Sequence, residues 1–187
     1  MRKFFLISAM AMLAFPTSSF AQVIIHGDGA PRQCYLSVKL GDPGRHSTIK
    51  NCIDALHTPG LNSKNRAAMS TNIGILYMRA GKHDEAQKWY DDALEIAPNV
   101  AETYVNYSAV LIYSNNPRKA IEMADKALEF DTDKKPEALY NRAIAYDRID
   151  DFNRAYRDLK HALSLRPEWP PALKAIDNYI VAPKSAG

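Results

Sequence analysis

The sequence predicts an all-α protein, a stack of antiparallel helical hairpins closed by a C-terminal capping helix. Two observations predict it. The segment from Ala67 to Pro98 reappears from Ala101 and again from Pro136, a period of about 34 residues that marks a repeat architecture. Within the copies, apolar residues recur at three- and four-residue intervals, as in Tyr104, Tyr107, Ala109, Leu111 and in Ile121, Ala124, Ala127, Leu128, so each helix buries one stripe.

The elements follow in order. Arg2 and Lys3 precede an apolar run from Phe4 to Phe15 that is too short for a stable membrane anchor, and Pro16 ends it. Ser19, Phe20 and Ala21 form an A-x-A-like cleavage site, so residues 1–21 read as a signal peptide and the mature chain starts at Gln22. Cys34 lies too far downstream to acylate that start. The expectation is an exported, periplasmic protein, with secretion from a eukaryotic cell as the alternative. Losing Arg2 and Lys3 takes the basic count from 24 to 22 against 21 acidic residues. Charges of both signs alternate and form no concentrated basic face, which sets nucleic acid aside as a partner.

Residues 22–62 make an N-terminal helical segment. Cys34, Leu36, Leu40, Ile49, Ile53, Ala55 and Leu56 allow two short helices around the turn Gly41, Asp42, Pro43, Gly44, readable as a degenerate hairpin. Cys34 and Cys52 in an exported chain favour a disulfide over a reactive thiol pair, since no C-x-x-C spacing is present, and the bridge would contribute about 3 kcal/mol.

Three hairpins follow, over residues 67–100, 101–134 and 136–169. Small residues recur where the two helices of a hairpin cross, in the sets Gly74/Ser108/Ala143, Ala86/Ala120/Ala155 and Ala93/Ala127/Ala162. Pro98 and Pro167 close the first and third copies, and Thr132 stands in the second. Asp84, Asn115 or Asn116, and Asp150 or Asp151 are candidate N-caps, with Pro117 and Pro136 near first helical turns. Residues 170–182 form the cap, burying Ala172, Leu173, Ala175, Ile176, Tyr179 and Ile180 against the last hairpin, and residues 183–187 form a tail.

The three sets of small residues, with Pro98 and Pro167, resemble the tetratricopeptide repeat family over Ala67 to Trp169. Arg142 departs from its pattern, because an apolar residue is usual there. The resemblance implies a right-handed superhelical stack whose first helices line a concave surface. Asn72, Asn106 and Asn141 stand at one place on those helices. In peptide-binding members the amide offers a donor and an acceptor to the backbone of an extended segment. The other reading of this ladder is shared repeat ancestry with solvated amides. Thr71, Ile75, Met78, Val105, Ala109, Ile112, Tyr113, Tyr140 and Ile144 supply an apolar and aromatic floor, with Arg79 and Arg148 at its edge. Met78 and Ile112 read equally well as packing between hairpins. The basic carboxylate clamp of some members is largely absent, since Thr71, Ile75, Glu137 and Asn141 occupy its places. Glu102 and Glu137 add negative charge to the margin, which favours a neutral or partly basic segment.

His26, His46, His57, His83 and His161 are scattered without ligand spacing, so no metal is expected. The adjacent pairs Asp91/Asp92 and Asp150/Asp151 point apart on a helix and make no acid/base pair. No catalytic constellation or cofactor motif stands out. The functional expectation is a non-catalytic periplasmic adaptor holding an extended peptide or protein segment. The alternative is a structural component of an envelope complex, acting through self-association or its convex face.

Overall fold

Residues whose side chains or backbones stop a helix are spaced along the chain so as to cut it into short helices. In a computed structural model describing residues 29–179, these are α1 (Ala30–Lys39), α2 (His46–Ala55), α3 (Ser63–Arg79), α4 (His83–Ile96), α5 (Ala101–Tyr113), α6 (Pro117–Leu128), α7 (Lys135–Arg148), α8 (Phe152–Leu165) and α9 (Pro170–Ile176). The expected signal peptide, His26, Asp28, Ile180 and the 183–187 tail lie outside the described residues. Asn62, Asn116 and Asp151 cap α3, α6 and α8 by accepting from the third amide on. Asp84 is not a cap: it stands in the first turn of α4, where its charge suits the helix dipole. Asn115 and Asp150 are not caps either. With Gly81 they take the left-handed backbone at the bend of each hairpin, at φ of 55°, 60° and 73°, which short polar side chains and glycine tolerate.

The pairs α3·α4, α5·α6 and α7·α8 pack as hairpins, and each stacks on the next through α4·α5 and α6·α7. The first helices α3, α5 and α7 also touch one another, whereas α4, α6 and α8 make next to no mutual contact. The stack therefore bends with α3, α5 and α7 inside. Close approach within a hairpin depends on the small residues. Gly74 faces the fully buried ring of Tyr90, and a Cβ at Gly74 would come within 2.5 Å of it. Ala86, Ala120 and Ala155 have no exposed surface.

At the N-terminal end α1 and α2 form the expected hairpin, joined by a disulfide between Cys34 and Cys52 with Cα atoms 5.1 Å apart. Leu40 corrects the predicted core: it is 83 % exposed, because it sits past the end of α1 as the chain turns outward. Asp42 organises that turn. Its carboxylate accepts from the amides of Gly44 and Arg45, the Thr48 hydroxyl and the Arg45 guanidinium. Burial acts to raise its pKa, but these hydrogen bonds outweigh burial and hold it at about 2.

The C-terminal cap is shorter than expected, since α9 stops at Ile176. Ala172 is buried beneath it and Leu173 points outward, 42 % exposed, a second correction that follows from so short a helix burying one side only. Tyr179 docks beyond it, donating its hydroxyl to Asp147 at 2.7 Å.

Arg142 is explained by its neighbours. Its Nε and Nη2 donate to both oxygens of Asp158 on α8, at 2.7 and 2.8 Å, and its Nη1 donates to Asp125 on α6 at 2.6 Å. One guanidinium thus ties three helices. Asp158 is only 6 % exposed.

Two outcomes are expected. Asp42, with its folded pKa below the ordinary value, stabilises the N-terminal hairpin fully above about pH 4, and this contribution is lost as pH falls toward 2. Hydrogen exchange of α1 and α2 amides should accelerate over that window in the native chain but not in Asp42→Asn. Arg142→Met, which strands Asp158, should cost about 3–5 kcal/mol in chemical denaturation, and adding Asp158→Leu should recover most of it.

Candidate functional site

The candidate site residues come from the inner helices, whose apolar stripes face α4, α6 and α8 and whose opposite sides form the concave face. Thr71 on α3 and Thr103 on α5 meet through their hydroxyls at 2.8 Å, and Thr71 also donates to the Ala67 carbonyl. Both threonines are buried, as are Ile75 and Val105. These residues join neighbouring hairpins. Met78 and Ile112 are buried too, in keeping with their packing reading.

The asparagine ladder is likewise buried, with Asn72, Asn106 and Asn141 exposed by 0, 1 and 8 %. Asn141 uses both hydrogens of its amide within the chain, donating to the Val105 carbonyl at 3.0 Å and to the Ser108 hydroxyl at 2.9 Å. The expectation that it offers a donor to a ligand is therefore corrected: its donor side is a strut from α7 to α5. Arg79 is also corrected as a groove-edge residue. Its Nη1 donates to the Val38 and Asp42 carbonyls at 2.9 and 3.1 Å, which fastens the N-terminal hairpin to the end of α3.

Glu137 does not leave a free negative charge at the margin. Arg166 grips both of its oxygens, at 3.0 and 3.2 Å, and lies 4.9 Å over the Trp169 ring, which in turn meets Tyr140 edge-on at 5.2 Å. The sequence reading missed this chain, because Arg166 lies outside the repeated apolar pattern.

What stays toward solvent is concentrated at the C-terminal ends of α5 and α7. Tyr113 is 37 % exposed and Arg148 is exposed, with Ala109 and Ile144 half-buried beside them. Burial first, then the neighbouring Tyr140 phenol, push the Tyr113 pKa up, and the Arg148 cation pulls it down. Burial raises Tyr140 as well. Both phenols remain protonated and able to donate. His83, one of the scattered histidines, packs against Tyr113 with ring centroids 5.3 Å apart. The cluster thus combines phenolic donors, one cation and an apolar wall, chemistry suited to an acceptor-bearing or acidic group on a partner. Among the described residues, no group of three or more His, Cys, Asp and Glu is placed to hold a metal, and no helix is long and apolar enough to cross a membrane.

Family models described as tetratricopeptide repeat match residues 65–133 and 136–168. The chain is 32 % identical over 98 residues to the DnaJ homolog subfamily C member 7 homolog of Schizosaccharomyces pombe, covering 50 % of this chain and 20 % of that protein. It is 27 % identical over 104 residues to the mitochondrial import receptor subunit TOM70 of Homo sapiens, covering 53 % and 17 %. It thus spans about a fifth of the length of these relatives. Among solved structures, PilW, a widely conserved type IV pilus biogenesis factor, superposes with a TM-score of 0.68 at 26 % identity over 78 % of this chain and 64 % of that one.

The buried strut gives a direct test. Asn141→Ala removes the donor shared by Val105 and Ser108 and should cost about 1–3 kcal/mol in denaturant unfolding. A solvated amide would cost no more than about 0.5 kcal/mol.

Proposed function

Because the chain belongs to the tetratricopeptide repeat family, we propose that it is a non-catalytic adaptor that holds an extended segment of another protein on its concave face. The observation that carries this reading is the pairing of Tyr113 and Arg148, which keep aromatic surface, a donor and a cation together toward solvent beside half-buried Ile144, with Tyr140 buried beneath them. Tyrosine and arginine are enriched among the residues that dominate binding energy at protein interfaces, tyrosine because it buries large area with little entropy to lose and arginine through its charged, many-donor fork. With Glu137 neutralised by Arg166, the segment is one that presents an acceptor or acidic side chain to Arg148, rather than the neutral or basic one expected from sequence. The similarity to an import receptor subunit supports a role in holding other chains.

An exported, periplasmic setting is part of the proposal. It is supported by the leader-like start from Arg2 to Ala21 and by the Cys34–Cys52 bridge, since disulfides persist in oxidising compartments. A second reading, a component of an envelope assembly, is favoured by the likeness to a pilus biogenesis factor.

The test is capture of partners from an envelope extract by the chain starting at Gln22, beside a Tyr113→Ala/Arg148→Glu variant. The variant should lose its partner by tenfold or more with unchanged helicity, by order of magnitude for interface anchors. Equal capture by both baits sinks the concave-face reading.

A further inference from the structure

The outer helices carry a charge gradient. On α4, Asp84, Glu85, Asp91, Asp92 and Glu95 face outward against a single cation, Lys88. On α6 and the residue after it, Arg118, Lys119 and Lys126 balance Glu122, Asp125 and Glu129. On α8, Arg154, Arg157 and Lys160 stand outward, and the one acid of that helix, Asp158, is turned inward to Arg142. Aligned on Ala86, Ala120 and Ala155, the charges of α4 and α6 occupy the same places and the three cations of α8 share half of them, so the outer face runs from acidic through neutral to basic along the stack.

The charges at the two ends are largely unspent. No ion pair among the described residues engages Asp84, Asp92, Glu95, Arg157 or Lys160. Lys119 lies near Asp91, Arg154 is held by Asp151 with Arg157 nearby, and Lys160 lies 5.8 Å over the Tyr156 ring, so Asp92 and Glu95 against Arg157 and Lys160, none of them in an ion pair among the described residues, are the charges open to a partner. Burial first, then the neighbouring Glu95 and Asp91 carboxylates, raise the Asp92 pKa.

We propose that a second copy of this chain is the partner for this face, with α4 of one copy docking against α8 of the next. Geometry selects the mode. The inner helices make mutual contacts that the outer ones lack, so the outer face is the convex one, and α4 and α8 are different surfaces at its two ends. The contact is therefore heterologous, and each copy keeps one free acidic and one free basic end, which gives chains rather than a closed dimer. A contact made of solvated charges is weak and salt-sensitive. This inference deepens the assembly reading. The concave-face reading survives its failure, since no concave residue takes part.

Sedimentation of the chain starting at Gln22 tests it with charge swaps. At about 20 mM salt the average mass should climb with protein concentration, and at about 500 mM it should return to monomer. Asp91→Lys/Asp92→Lys/Glu95→Lys in one variant and Arg157→Glu/Lys160→Glu in another should each stay monomeric with native helicity. Mixed in equal amounts, the two variants should assemble, because each then meets a face of opposite charge. A wild-type chain that is monomeric at every concentration overturns the proposal, as does assembly that the swaps leave unchanged or a mixture that stays monomeric.

Discussion

Everything in this fold depends on how closely two helices can approach inside one hairpin. Gly74 against the ring of Tyr90 is the tightest case, and Ala86, Ala120 and Ala155 continue it through the stack with no exposed surface. Close approach lets short helices bury enough apolar area to offset their ordering entropy, which helices of this length do not manage alone. The curvature is a separate matter of stacking: α3, α5 and α7 touch one another across hairpins while α4, α6 and α8 make next to no mutual contact.

Curvature crowds the inner side, and the polar groups found there are consumed by the crowding. Thr71 with Thr103, and Asn141 with Val105 and Ser108, are hydrogen-bonded across neighbouring hairpins, as buried polar groups must be. Only the ends of α5 and α7 escape, so the surface able to meet a partner shrinks from a ladder along the groove to the neighbourhood of Tyr113 and Arg148. Arg142 serves the same purpose on the opposite side of α7, replacing apolar packing with an ion triad that joins three helices.

The helices, their pairing and the disulfide were legible in the sequence, because each rests on local or periodic information: spacing of apolar residues, small residues at fixed offsets, two cysteines in a short segment. Loop details were legible only in part. Asn115 and Asn116 are both good caps by residue type, and the backbone at the bend decides between them. The site was least legible. A polar residue at a repeated inner position reads alike whether it faces water or a neighbouring helix, and the partners of Asn141 lie on another hairpin. Glu137 looked like free charge for the same reason, since Arg166 is distant in sequence and reaches it only when α8 folds back on α7.

The two ends of the stack are sealed by different means. At one end a covalent bridge, the carbonyl contacts of Arg79 and the carboxylate of Asp42 hold α1 and α2 in place. At the other, among the described residues, the seven-residue α9, the Trp169 and Tyr179 rings and the Tyr179 hydrogen bond to Asp147 cover the last hairpin. Because each hairpin leans only on its neighbours, such a stack comes apart from an edge inward. Parting α1 from the stack leaves a segment that the Cys34–Cys52 bridge still closes into a loop, whereas the α9 edge is held without a covalent tie among the described residues.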